Sequence, residues 1–146
     1  MKEKQDVEKL LREKHTVSLP LTGLSMYPFL IGGRDRAIVS PLKESETPKK
    51  GEVYLYRRKQ GILVLHRLVK VRDSGLFFTG DNQREIEGPL SSDQLRGRMT
   101  GFVRKGKEHG TSYFPYRFCT GLWRICLPLR PAVWKTLKAV RGIFRR

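Results

Sequence analysis

The sequence predicts a mainly β domain that follows a short helix and precedes a basic helical tail. Six short runs rich in β-branched and aromatic residues alternate with turns that contain Gly, Pro or Asp, which is typical of consecutive antiparallel strands. Apolar residues at helical spacing occur before and after this region. The 146 residues, 38% of them hydrophobic, are enough for one packed domain and exclude a wholly disordered chain.

Residues 1–15 are expected to form an amphipathic helix. Its apolar positions follow one another at i, i+3 and i+4, and Lys and Glu occupy most of the other positions. These apolar residues are Val7, Leu10 and Leu11. We expect this apolar face to lie against the β domain and the Glu residues to point outward.

Residues 16–106 hold the six expected strands, which should form a coiled, partly barrel-like sheet. The strands are expected at residues 16–22, 36–40, 53–57, 62–71, 76–79 and 98–104. The fourth run is apolar on both faces apart from His66 and Arg67, which is typical of an interior strand.

Residues 107–146 form a basic, aromatic tail. Residues 101–146 carry 11 cations and one anion, and they therefore supply +10 of the net charge of +16. Pro131 suits the first position of a helix, and an apolar face at helical spacing follows it: Val133, Leu137, Val140 and Phe144. The sequence therefore predicts a basic amphipathic helix in the tail.

Several features are missing from the sequence. Residues 1–14 alternate Lys and Glu, so no secretory signal is visible, and Pro and Gly interrupt the longest uncharged stretch, so no membrane-spanning helix is expected. Cys119 and Cys126 are about two helical turns apart, too far for a disulfide, and have no nearby His. We expect reduced thiols, no metal, no cofactor and a cytoplasmic protein.

Three polar residues occupy positions suited to chemistry. Ser25 follows a strand in a bend between Gly23 and Pro28, which can present its hydroxyl and its own N–H to one space, as acyl transfer requires. His66 interrupts an apolar strand, so its imidazole needs partners inside the protein. Asp81 follows a strand in a Gly-Asp-Asn turn. Taken singly, each residue has a simpler interpretation: Ser25 as an ordinary turn serine, His66 as a core histidine with its hydrogen bonds satisfied, and Asp81 as a turn carboxylate.

Together these segments resemble the signal-peptidase family of serine proteases. Five boxes occur in the order of that family over residues 16–104: Ser-Met-Tyr-Pro at 25–28, the run 48–56, the run 65–69, Phe-Thr-Gly-Asp-Asn at 78–82, and 95–99. The pair His66–Arg67 is similar to the archaeal and endoplasmic-reticulum branch, which uses histidine as the base where the bacterial branch uses lysine. The resemblance implies the coiled β-sheet fold that this family shares with the self-cleaving repressors.

The resemblance also implies a role for each residue. Ser25 would be the nucleophile, with its own N–H donating to the oxyanion, and His66 would be the general base. Because the imidazole must be neutral to accept a proton, activity would rise with pH through the pKa of His66, which is ~6.5 for an unperturbed imidazole. Asp81 would orient the imidazole, with Asp93 as a weaker alternative. The chain departs from the family at Gly23, where the bacterial branch often has a hydroxyl, and at Glu52, which replaces an Asp. The sequence also predicts no N-terminal membrane anchor of the kind usual in the family.

The implied activity is that of a serine endopeptidase. Its substrate would be a polypeptide with an extended leader or signal segment, which the strand edges beside Ser25 would hold. The residues of this segment next to the scissile bond would have small side chains.

The tail suggests a different class of function, a catalytically inactive or non-enzymatic module that binds a membrane surface or nucleic acid. Trp123 and Trp134 share helical segments with Lys and Arg, which favours the headgroup region of an anionic membrane over nucleic acid. Docking on a membrane-anchored partner, or on its own domain, is also compatible with this pattern. We expect peripheral attachment at the cytoplasmic face.

A self-cleaving repressor-type regulator is a further alternative. The Ala-Gly or Cys-Gly bond that such repressors cut does not occur in the sequence. The stretch before the first strand is also too short for a helix-turn-helix. Cleavage of another polypeptide is therefore preferred.

Overall fold

The computed structural model describes residues 2–126 together with residues 129 and 132. Within them, eight strands form one antiparallel sheet and two α-helices accompany it, which confirms the mainly β fold class. Helix α1 is Lys2–Arg12 and helix α2 is Phe114–Ile125. The strands, in chain order, are β1 Val17–Pro20, β2 Asp35–Ser40, β3 Val53–Arg57, β4 Leu63–Arg72, β5 Gly75–Thr79, β6 Glu87–Leu90, β7 Leu95–Arg104 and β8 Lys107–Gly110.

The chain divides into two compact units, Met1–Thr111 and Ser112–Arg146. The first unit contains α1 and the whole sheet, and the second contains α2. Because β8 belongs to the sheet, the sheet continues past residue 107, where the sequence predicts the start of the tail. The apolar face expected after Pro131 lies outside the described residues. No helix among the described residues has the length and apolarity needed to cross a bilayer.

The strand order of the sheet is β1-β2-β7-β3-β4-β5-β6, and β8 also pairs with β7. Strand β7 therefore pairs with three other strands. Strand β2 occupies one edge of β7, and β3 and β8 share the other. In a flat sheet β1 and β4 would lie about 19 Å apart, four strand spacings. Residues from both strands nevertheless line one cavity, so the sheet curves strongly.

The central strands β3 and β4 have buried residues on both faces. In their register Tyr54 lies opposite His66 and Tyr56 opposite Val64, so these four side chains share one face. That face belongs to the main apolar cluster, which comprises Tyr54, Tyr56, Leu68, Leu76, Phe78, Leu90 and Leu95. The opposite face of β3 presents Val53 and Leu55, which are also buried. The composition of β4 thus predicted its interior position correctly.

Asp35 holds the base of the segment between β1 and β2. This buried carboxylate accepts hydrogen bonds from the Arg34 and Arg104 guanidinium groups and from the Ile31 N–H. Arg104 also donates to the carbonyl of Phe29. Burial would raise the pKa of Asp35, but these hydrogen bonds outweigh it and hold the pKa well below its usual range. The segment is therefore fixed to both β2 and β7.

Glu8 determines how α1 packs, which the helical pattern did not predict. The Glu8 carboxylate is buried and accepts hydrogen bonds of 2.6 Å from Arg57 and 2.8 Å from Arg96. The expectation that the Glu residues point outward is therefore wrong for Glu8. The two guanidinium groups make its burial possible, since an unpaired buried carboxylate is strongly disfavoured. Leu11 is buried as expected, whereas Leu10 is 41% exposed.

Candidate active site

Ser25 lies in the segment of residues 21–34, which we call the Ser25 loop. Gly23 has a φ of +74°, a left-handed conformation that favours glycine. The Gly32 N–H donates to the Gly23 carbonyl at 3.1 Å, which closes the loop on itself. Met26 is 5% exposed, whereas Ser25 beside it is only half-buried. The loop therefore presents Ser25 from a turn that its apolar neighbour anchors.

The backbone of Ser25 contacts the turn that carries Asp81. The Asn82 N–H donates to the Ser25 carbonyl at 2.8 Å. A Cβ on Gly80 would lie 2.5 Å from the same oxygen, so this approach requires glycine. In contrast, the N–H and the hydroxyl of Ser25 have no hydrogen-bond partner among the described residues. A nucleophile with its own N–H unoccupied meets one requirement of an oxyanion site.

A buried ion pair fixes the Asp81 turn to β4. Both side chains are 3% exposed, and Arg67 donates two hydrogen bonds of 2.7 Å to the two oxygens of Asp81. Arg67 also donates to the carbonyl of Gly51 at 2.8 Å. A bidentate pair of this kind has a strict geometry. The pair therefore connects β4, through Asp81 and Asn82, to the backbone of Ser25.

His66 points from the other face of β4, into the apolar cluster, and is 4% exposed. Its Nδ1 lies 3.2 Å from the Tyr56 hydroxyl, which donates its single proton to Glu87 at 2.7 Å. The Tyr56 oxygen must then accept from Nδ1–H, so the network assigns the lone pair to Nε2. Arg58 binds the Glu87 carboxylate with hydrogen bonds of 2.7 and 2.8 Å. Nε2 is thus the nitrogen able to accept a proton.

Burial lowers the pKa of His66 from its ordinary value of 6.5 to about 4. The charge of Glu87 raises this pKa, that of Arg58 lowers it and that of Asp81 raises it, but desolvation is the largest effect. The imidazole is therefore neutral at neutral pH, with a pKa below the near-neutral value expected from the sequence. Burial likewise raises the pKa of Tyr56 well above its ordinary value, so its hydroxyl keeps its proton at neutral pH.

Of the three residues predicted from the sequence, two lie in turns that a hydrogen bond joins, and the third, His66, makes its hydrogen bond elsewhere. Ser25 and the Asp81 turn share a hydrogen bond, and Asp81 acts on His66 through its charge. The hydrogen bond at Nδ1 goes to Tyr56, while both oxygens of Asp81 accept from Arg67. Within residues 2–126, no hydrogen bond joins the Ser25 hydroxyl to the imidazole.

The weaker alternative to Asp81, Asp93, is exposed in the 3-10 turn Ser92–Gln94 that precedes β7.

Sequence reasoning missed Tyr56, Glu87 and Arg58. Tyr56 and His66 occupy the same face of neighbouring strands, which follows from the period of two once the register is known. Glu87 begins β6, a four-residue strand that contains Gly88 and Pro89 and has no strand-like pattern of its own. Only the tertiary structure places this carboxylate beside the tyrosine.

A cavity of about 790 Å³ is lined by Ser25 and by residues of β1, β4 and α1. Strand β4 pairs with β3 at residues 63–67 but with β5 only from Arg67 onward. One edge of Leu63–Leu65 is therefore open among the described strands. Strand β1 pairs with β2 alone within that same part of the chain. Two open strand edges thus border the cavity.

The described residues contain no group of three or more His, Cys, Asp or Glu side chains placed to hold a metal ion. Cys119 and Cys126 are both free thiols in the structure.

Comparisons with known proteins do not identify the chain. It matches no protein-family model, and no curated protein is significantly similar to it. Any function must therefore be argued from the residues of the site.

Replacing Gly80 with alanine should disturb the contact between the Asp81 turn and Ser25. The added methyl group would lie 2.5 Å from the Ser25 carbonyl and 2.9 Å from the Gln83 side-chain oxygen, so one of them must move. We expect Gly80→Ala to lower the free energy of unfolding in urea by about 1–3 kcal/mol.

Gly121→Ala is the matched control, because a Cβ at this position in α2 meets nothing within 4 Å. It should be neutral or slightly stabilising, since alanine is the better helix former. Equal stability of Gly80→Ala and the wild type would contradict the close approach of the two turns.

Proposed function

We propose that this protein is a serine endopeptidase of the signal-peptidase type that cleaves a leader or signal segment of another polypeptide. The observation that carries this proposal is the position of Ser25 in a cavity bordered by two open strand edges. An extended peptide in this cavity can pair with both edges through its main chain, as in other cases of strand addition. The peptide bond beside Ser25 would then be the scissile bond.

The chemistry follows from the protonation states of the site. The Ser25 Oγ attacks the carbonyl carbon of the substrate while Nε2 of His66 accepts its proton, and the developing oxyanion accepts a hydrogen bond from the Ser25 N–H. His66 then protonates the leaving amine, and water releases the acyl group with the same base. His66 is 4% exposed and is not among the residues that line the cavity, so this scheme requires the imidazole to gain access to Ser25 when the substrate binds.

The hydrogen bond between Ser25 and His66 would form in the substrate complex, because catalytic hydrogen bonds commonly tighten there. In this scheme Tyr56 and Glu87 orient the imidazole through Nδ1. Asp81 positions Ser25 through its turn, and its negative charge stabilises the imidazolium that forms during the reaction.

Removing the nucleophile should abolish cleavage. We expect Ser25→Ala to lower kcat/KM by at least about 10³-fold, since the acyl-enzyme can no longer form. The measurement is cleavage, followed by mass spectrometry, of synthetic peptides that carry leader sequences with small residues beside the scissile bond. Ser92→Ala, an exposed serine outside the cavity, serves as the control.

Equal cleavage by the wild type and Ser25→Ala would refute the role of Ser25 as the nucleophile, and no cleavage by either protein would favour a non-enzymatic binding module. Processing of the protein itself during the incubation, seen as a change in its intact mass, would instead favour a self-cleaving regulator.

The pH dependence of kcat/KM tests the base. Neutral His66 is the active form, and its pKa is lowered to about 4, so activity should stay level through weakly acidic pH and fall as the pH approaches that value. Glu87→Gln removes a charge that raises this pKa, so the acidic limb should move to lower pH. Glu85→Gln, which changes an exposed carboxylate nearby, should leave the limb in place.

A re-assay at pH 7 after incubation at low pH separates titration from unfolding. A rise of kcat/KM with pH whose midpoint lies above neutral pH would point instead to a lysine base, whose ordinary pKa is ~10.4. That result would exclude His66 from the role.

We also propose that the tail unit holds the enzyme peripherally at an anionic membrane surface, on the cytoplasmic side. In α2, Phe118, Leu122 and Ile125 are spaced at i, i+4 and i+7, and each is more than half exposed. Arg117 directly precedes Phe118, and Arg124 lies between Leu122 and Ile125 in the sequence. An exposed apolar stripe with adjacent cations is typical of helices that lie in the headgroup region.

Binding to vesicles that contain phosphatidylserine should weaken with salt without vanishing. The cationic contribution, ~1 kcal/mol per basic residue, fades as salt screens it, whereas insertion of apolar side chains persists. The double substitution Leu122→Ser and Ile125→Ser should abolish the salt-resistant part in flotation assays. Ile86→Ser, which changes an equally exposed apolar residue of the first unit, should not.

Recovery of the full chain entirely free of anionic vesicles at low salt would exclude membrane attachment. The tail would then be assigned to a partner or to its own domain.

A further inference from the structure

Helix α1 packs on the sheet with one face and lines the cavity with an adjacent one. One face carries Glu8 and Leu11, which are both buried, and the two ion pairs of Glu8 connect α1 to β3 and β7 through Arg57 and Arg96. The helix is therefore fixed to two different strands. Its position relative to the sheet follows from charge pairing and from the single buried leucine.

The other face of α1 forms part of the wall of the cavity that contains Ser25. Asp6, Val7 and Leu10 line this cavity, as do Leu63, Val64 and Leu65 of β4. These three positions are adjacent on a helix, at i, i+1 and i+4. Leu10 is a large apolar side chain that is 41% exposed, and the structure gives it no apolar partner that buries it fully. An apolar group entering the cavity would bury more of Leu10, which is favourable.

We propose that α1 is a specificity-determining wall of the substrate site, which selects a bulky apolar side chain at one position of the peptide away from the scissile bond. This inference rests on the proposed peptidase function. Successive side chains of an extended peptide point in opposite directions, so only one or two of them face α1. The selection therefore concerns a single position of the substrate and is separate from the small residue expected beside Ser25.

Cleavage of a randomised peptide library, read by mass spectrometry, tests this proposal on the full chain. The wild type should prefer Leu, Ile, Met or Phe at one position away from the scissile bond, and Leu10→Ala should reduce that preference about tenfold. Leu10→Glu should replace it with a preference for Lys or Arg at the same position. A new preference of this kind cannot result from loss of folding. Lys9→Ala, which changes an exposed residue of the same helix, should keep the wild-type profile.

A second variant, at Glu8, changes how α1 is attached to the sheet and leaves the residues of α1 that line the cavity unchanged. Glu8→Gln removes the charge that binds Arg57 and Arg96, so α1 should loosen and the apolar preference should weaken, whereas Glu13→Gln at an exposed position should not change it. Wild-type profiles in both Leu10 variants, together with loss of cleavage in Ser25→Ala, would overturn the role of α1 and leave the peptidase function standing. Cleavage that survives Ser25→Ala would overturn Ser25 as the nucleophile, and absence of cleavage by the wild type would overturn the proposed peptidase function itself.

Discussion

The buried ion pair between Arg67 and Asp81 is the constraint on which the site depends. Arg67 is the neighbour of His66 on β4, and the two side chains leave the strand on opposite faces. Through Asp81 the arginine holds the turn that binds the Ser25 carbonyl. Removing one member of such a pair leaves an uncompensated buried charge and is destabilising by about 3–5 kcal/mol. The pair therefore sets the distance between the strand of the candidate base and the loop of the candidate nucleophile.

A second polar network crosses the apolar cluster on the other face of β4. The chain from Nδ1 of His66 through Tyr56 to Glu87 and Arg58 matches each donor to an acceptor in turn and leaves Nε2 of His66 without a hydrogen bond among the described residues. Because this network ends in a neutralised carboxylate, burial prevails over charge at the imidazole and keeps it unprotonated at neutral pH. The protein thus maintains a neutral histidine in a largely apolar environment without placing a free charge there.

The sequence predicted the fold class and six of the strands because their apolar alternation and their turns are local properties. Strands β6 and β8 were not predicted, since Glu87–Leu90 contains Gly and Pro and Lys107–Gly110 is charged and polar. They become strands through pairing with β5 and β7.

For the site, turn chemistry and an interrupted apolar run are visible locally at Ser25, His66 and Asp81, but the roles expected of them came only from the resemblance of the five boxes to a known family. The partners of these residues were not predictable in the same way. Tyr56 and Glu87 reach the imidazole only through strand register and tertiary packing. The burial of Glu8 likewise depends on two arginines from strands far along the chain, so helical periodicity assigned it to the wrong face.

The open edges of β1 and β4 have a consequence for the state in which a substrate must arrive. Most backbone groups of a folded domain are already paired within its own sheets and helices, so apart from its sheet edges it has little extended backbone to offer to these edges. A segment that is still unstructured, or that extends beyond a folded body, has its N–H and C=O groups available. If the proposed function holds, the cavity between the edges would therefore discriminate by conformation as well as by sequence: a target would be cut before it folds, or at a part of it that never folds.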